Sequence, residues 1–140
     1  MELLPIRLLP GQDLRRALEA VVVERGCDAA FVLSGIGSLA PAVLRLAGAT
    51  ELKTIAGDVE ILTLSGSIAG NGSHLHASVS DAHGVVTGGH VAYGCTVRTT
   101  AEVLLALLPD WRFSRDPDAA TGFDELVVRP AARSATCDGA

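Results

Sequence analysis

His74 and His76 stand two residues apart in the segment Gly72–Glu102, which also holds His83, His90 and the chain's one tyrosine, Tyr93. In a strand, residues i and i+2 project from the same face. Both imidazoles would then stand side by side, with Leu75, Ala77 and Val79 filling the opposite, apolar face. Neutral imidazole nitrogens a few ångströms apart can share a metal ion. At neutral pH the donor type suits Zn²⁺, or another divalent transition metal.

Whether His90 joins them depends on the register of one hairpin. Asp81-Ala82-His83-Gly84 reads as a turn, with an Asp to bond the backbone and a Gly for positive φ. A three-residue loop with Gly84 in the bulge position pairs Asp81 with Val85. Counting back sets His76 opposite His90, with His74 one diagonal step away on the same face. A two-residue loop would set His90 opposite Leu75, on the wrong face. Asp-x-x-Gly favours the longer loop, so His74, His76 and His90 are expected to converge as three ligands with a fourth position open. The competing reading is a polar strand face at a subunit boundary, its histidines hydrogen-bonded to serines such as Ser78. His83, at the turn tip, is expected in solvent.

The elements around this hairpin follow from periodicity. Glu2–Leu9 reads as a strand ended by Pro10-Gly11. Leu14, Ala17, Leu18, Val21 and Val22 recur at helical spacing behind a capping Asp13, and Gly26 stops the helix. Ala29–Leu33 reads as a short buried strand closed by a glycine-rich turn, Ser34–Ser38. That turn lacks the Lys of a phosphate-binding loop and is expected to serve backbone geometry. Ala42–Ala47 and Glu51–Ile55 pair as strands, Val59–Ile68 is a longer one, and Asn71-Gly72 is a turn. Cys95–Arg98 is strand, whereas Thr99–Leu108 suits a capped helix or a strand equally. Trp111–Phe113 and Leu126–Val128 are the last strands. One domain is expected over 1–128, with 129–140 as a disordered tail.

Composition excludes some functions. The chain of 140 residues is 49% apolar and 19% charged, with a formal net charge of −5. Sparse charge points to surface covered by copies of itself. The negative balance argues against gripping DNA by phosphate contacts, which need clustered Lys and Arg. No apolar run reaches the roughly 20 residues of a membrane span. The start, MELLPIRLLPGQDL, shows no signal-peptide pattern. Cys27, Cys95 and Cys137 lack CxxC spacing and suit a reducing cytoplasm, with Cys95 a small core residue.

PGQDL before the helix, FVLSGIGSLAPAVL, GDVEILTLSGSI, HLHASVSDAHGVVTGGHV, TTAEVLL and RDPDAATGF follow one another along nearly the whole chain. In this order and spacing they resemble the PPC (plant and prokaryote conserved) domain, whose prokaryotic members are described as predicted DNA-binding proteins. The resemblance implies an α/β fold, a curved, mostly antiparallel sheet with a packed helix, and a homotrimer. It also turns Thr100–Leu107 towards strand. Plant members carry Arg-Gly-Arg-Pro in AT-hooks, and this chain has none. They also meet protein partners through Gly-Arg-Phe-Glu-Ile-Leu, which here reads Gly57-Asp58-Val59-Glu60-Ile61-Leu62, without the Arg and the Phe.

Glu102 is the one carboxylate in the apolar run Cys95–Leu108. It is a candidate general base beside metal-bound water, or an acceptor that orients a ligating imidazole. A salt bridge to Arg98 or Arg45 is the alternative. Gly88 and Gly89 are expected to pack at a subunit contact. Two functions follow: a trimeric metal-binding or regulatory module brought to DNA by a partner, and a zinc-dependent hydrolase or lyase. No further acid/base pair or nucleophile motif is visible, which favours the module.

Overall fold

Alternation of apolar and polar residues carries most of the chain into strands. The computed structural model describes residues 1–131. The elements are β1 (Glu2–Leu8), α1 (Leu14–Glu24), β2 (Ala29–Leu39), β3 (Ala42–Arg45), β4 (Leu52–Ile55), β5 (Val59–Ala69), β6 (Gly72–Asp81), β7 (Val86–Val91), β8 (Val97–Leu107), β9 (Trp111–Pro117) and β10 (Asp124–Pro130). Eight strands form one sheet in the order β1-β8-β2-β5-β6-β7-β3-β4, and β9 and β10 form a separate hairpin. Every neighbouring pair is antiparallel. The expected mostly antiparallel sheet with one short helix is what the chain forms, and β8 is strand throughout. Among the described residues no helix is long and apolar enough to cross a membrane.

The helix forms where its apolar period lies. Asp13 caps it, its Oδ1 accepting from the Arg16 N–H at 2.9 Å and its Oδ2 from the Gly94 N–H at 2.5 Å. Its start is thereby tied to the chain leaving β7. Leu14, Leu18 and Val22 are buried and join Leu39, Leu75, Val79, Val97 and Leu105 in one core. Each such side chain stabilises the fold by about 1.5–3 kcal/mol relative to exposure. Cys95 is fully buried in this core, and its thiol donates to the Val43 carbonyl at 3.2 Å. Burial pushes that thiol's pKa up.

Two expectations change here. Ser34–Ser38 is not a turn, because β2 runs through it to Leu39. A register shift between Val32 and Ser34 against β8 absorbs the irregularity. The glycines serve close packing between strands. A Cβ on Gly37 would strike the Thr100 carbonyl, and one on Gly35 would meet the Leu64 side chain at 2.8 Å. Arg129 and Pro130, expected in a tail, close β10 opposite Arg112 and Trp111. Residues 132–140, including Cys137, lie outside the described residues.

The β9–β10 hairpin folds back onto one end of the sheet. Phe113 is buried with Ala29 and Ala69, and its ring meets Phe31 edge-on at 5.5 Å. Asn71, in the β5–β6 turn, donates to the Arg115 carbonyl at 2.9 Å and accepts from the Arg115 N–H at 2.8 Å. This two-way bond sets where the Arg115 side chain falls.

Candidate metal centre

The turn that sets the hairpin register is built by Asp81. Its Oδ1 accepts from the N–H groups of His83 and Val85, both at 2.9 Å, and Gly84 takes φ +78°. The Asp81 N–H bonds the Val85 carbonyl at 3.1 Å, which is the three-residue loop. The backbone bonds, from Val85 first and then His83, hold the Asp81 carboxyl below its ordinary pKa. From there the ladder runs Ser80 with Val86, Val79 with Thr87, Ser78 with Gly88, Ala77 with Gly89 and His76 with His90. Leu75, Ala77 and Val79 are buried on the other face.

His74, His76 and His90 come together. His74 Nε2 lies 3.0 Å from His90 Nδ1, His76 Nε2 lies 3.0 Å from His74 Nε2, and His76 Nε2 lies 3.1 Å from His90 Nδ1. Three nitrogens in a closed triangle pose a donor–acceptor problem. An imidazole nitrogen carries either a hydrogen or a lone pair, and a hydrogen bond needs one of each. Three sites of two kinds cannot differ pairwise around a triangle, so at least one edge sets two hydrogens or two lone pairs against each other. Protonation only adds donors. One cation facing three lone pairs satisfies all three nitrogens together. Nitrogens about 2.0–2.1 Å from a zinc ion stand about 3.3–3.4 Å apart at tetrahedral angles and about 2.8–3.0 Å apart at right angles. The triangle fits between those limits.

Electrostatics favours the ligating form. The pKa of His74 is lowered from its ordinary value, by partial burial first, then by the Arg115 and His76 charges, with Glu125 opposing. That of His90 is lowered by burial first, then by Arg45. Both shifts favour the neutral ring, the state that coordinates metal.

The other sequence candidates lie elsewhere. His83 is exposed at the turn tip and outside the cluster. Glu102 is exposed on β8, paired in register with Arg7 on one side and Ile36 on the other. Glu102 stands outward because its neighbours Ala101 and Val103 take the core side of β8. Three strand spacings, about 14 Å, separate β8 from β6 in the order given above. Arg98, its suggested partner, pairs instead with Asp58 at 2.8 Å. Gly89 is explained within the chain. A Cβ there would come 2.7 Å from the Arg45 carbonyl on β3.

Sequence reasoning missed Arg45 and Arg115 as site residues. Arg45 pairs in register with His90. Arg115 Nη2 donates to Ser67 Oγ at 2.6 Å, and Ser67 stands opposite His74. The Asn71-Gly72 turn was visible, but nothing in the sequence said that Asn71 grips β9. Both arginines, with His74 and His90, line a cleft of about 660 Å³.

The model of the Plants and Prokaryotes Conserved (PCC) domain matches residues 1–109. A hypothetical protein from Salmonella enterica of known structure superposes with a TM-score of 0.90 at 40% identity, covering 94% of this chain and 95% of that one. A metal-containing protein from Archaeoglobus fulgidus superposes with a TM-score of 0.78 at 27% identity, covering 91% and 94%. The chain is also 48% identical over 132 residues to a bifunctional protein GlmU from Synechococcus, covering 94% of this chain. It spans about a fifth (21%) of the length of that curated relative.

Proposed function

The chain belongs to the Plants and Prokaryotes Conserved domain family, and we propose that it acts as a homotrimeric metal-binding module holding Zn²⁺ at His74, His76 and His90. The closed triangle of three imidazole nitrogens carries this reading, since hydrogen bonds alone leave it unsatisfied. The metal-containing relative from Archaeoglobus fulgidus adds support. Bound zinc would cross-link β6 to β7 and leave a position open for water or a ligand. Elemental analysis tests it. About one zinc per chain is expected in the wild type and a strong loss in His90→Ala, while His83→Ala keeps its metal. Equal metal in wild type and His90→Ala would make the histidines structural.

Assembly is supported by the apolar residues that one chain leaves uncovered. Leu3 (55% exposed), Leu33 (50%) and Ile36 (55%) lie on β1 and β2, the two strands that flank β8. Exposed apolar patches mark interaction sites on soluble proteins, and the family resemblance supports two further copies as the partner. Light scattering that returns a monomer mass at micromolar concentration would refute it.

DNA is reached through a protein partner in this reading, because the net charge is −5. The Gly57–Leu62 segment is the proposed contact, with Leu62 exposed and Asp58 held by Arg98. Duplex binding tighter than about micromolar at physiological salt would overturn this. The second reading is a zinc-dependent hydrolase or lyase, favoured by the cleft that opens beside the cluster. Glu102 could then act only on a neighbouring subunit's cluster, given its distance from the histidines of its own chain. Turnover abolished by a chelator separates the two readings. A cytoplasmic setting suits the unpaired, buried Cys27 and Cys95.

A further inference from the structure

The ladder between β6 and β7 ends at the His76–His90 pair. Beyond it β6 stays with β5 as far as Ala69 opposite Gly72, while Val91 of β7 pairs with Leu44 of β3. The sheet forks there, and the fork opens into the cleft of about 660 Å³. Arg15 bridges the prongs, donating to the Val91 carbonyl at 3.2 Å and the Ser73 carbonyl at 2.9 Å, and it is held by Glu19 at 3.1 Å. Cavities of this volume take small metabolites.

We infer that this fork binds a small carboxylate, gripped by Arg45 and Arg115 beside the three-histidine cluster. The ion pairs among the described residues use Arg15, Arg25, Arg98, Arg112 and Arg129. Among the described residues Arg45 and Arg115 therefore have no carboxylate within 4.0 Å, although Asp124 and Glu125 line the same cleft. Arg45 makes one long bond, to the Ala49 carbonyl at 3.4 Å. Arg115 Nη2 holds Ser67, but its buried Nε has no partner among the described residues. A buried donor without an acceptor is destabilising, and a guanidinium fork matches a carboxylate in two parallel bonds. Arg15 is paired with Glu19, and Arg45 and Arg115 are matched in number by Asp124 and Glu125, so the metal-free cleft has no surplus positive charge for a multiply charged phosphate. A singly charged carboxylate needs only one fork, and a second oxygen on the same molecule would be left to bind a metal held by the histidines.

The carboxylate grip stands without the metal; only that second anchor rests on the zinc reading. The test titrates glycolate into zinc-loaded protein, and glycolate with methyl phosphate as comparator into zinc-free protein, followed by calorimetry and by the arginine Nε–H signals in NMR. Saturable glycolate binding below about 10 mM is expected in the zinc-loaded protein, and in the zinc-free protein glycolate should bind more tightly than methyl phosphate. Arg115→Met and Arg45→Met should each weaken it about tenfold or more with zinc content unchanged. Zinc-free His90→Ala protein should keep a weaker, arginine-dependent affinity. Arginine-dependent binding to a wild type that takes up no zinc would support the cleft and sink the metal reading. No saturation, equal affinity in the arginine variants, or a preference of the zinc-free protein for methyl phosphate would overturn the inference.

Discussion

Replacing His90 by Ala separates a metal triad from a hydrogen-bonded histidine cluster, because the two arrangements respond with opposite sign. Consider first the metal-free protein. If hydrogen bonds among the rings stabilise the hairpin, the variant loses the contacts of His90 Nδ1 at 3.0 and 3.1 Å, and stability falls by about 0.5–1.5 kcal/mol per bond lost. If the triangle is built for a cation, His90→Ala removes the frustrated edge. His74 and His76, 3.0 Å apart, can then bond as one donor and one acceptor. Metal-free stability should hold or rise slightly. Now add zinc. Structural sites bind with about 10–16 kcal/mol from four ligands, so one ligand is worth about 2.5–4 kcal/mol, or two to three orders of magnitude in affinity. At a zinc concentration 100 times the wild-type Kd, linkage stabilises the wild type by about 2.7 kcal/mol. For a chain of this length that raises Tm by about 8 °C. The variant should show almost none of this shift. Thermal melts of both proteins with chelator and with zinc read every arm. A variant destabilised without metal and shifted as far as the wild type with zinc would refute the reasoning.

Four further outcomes follow from the same geometry. His74 and His90 have folded-state pKa values below the ordinary 6.5, so the unfolded chain takes up protons first as pH falls; the metal-free fold should hold its full stability above about pH 6.5 and lose part of it as pH drops through the lowered values, which urea titrations across that window measure. Zinc affinity should fall in the same direction, because protons compete for the ligating nitrogens. Gly89→Ala sets a Cβ 2.7 Å from the Arg45 carbonyl and should cost about 1–3 kcal/mol by overpacking, with faster amide exchange in β3 than in β2. Ile36→Glu, on the exposed side of β2, should shift the light-scattering mass towards the monomer while leaving the circular dichroism spectrum unchanged.

Much of the site was legible because it is local. Hairpin register is decided by a few residues, and Asp81 with Gly84 selects the loop that sets His76 against His90. The helix was legible for the same reason, its apolar residues and its Asp13 cap lying within a few turns of each other. What the sequence could not determine depends on contacts between distant segments. Ser34–Ser38 looks like a turn because Gly usually marks one, yet Gly35 and Gly37 are needed where Leu64 and the backbone at Thr100 press against β2. Glu102 looks buried because its neighbours are apolar, but which face of β8 receives the core is decided by the strands beside it. Arg45 and Arg115 stand 70 residues apart in the chain. They meet the histidines only because β3 pairs with β7 and Asn71 grips β9. Local backbone preferences hold the histidines together; long-range pairing assembles the cleft around them.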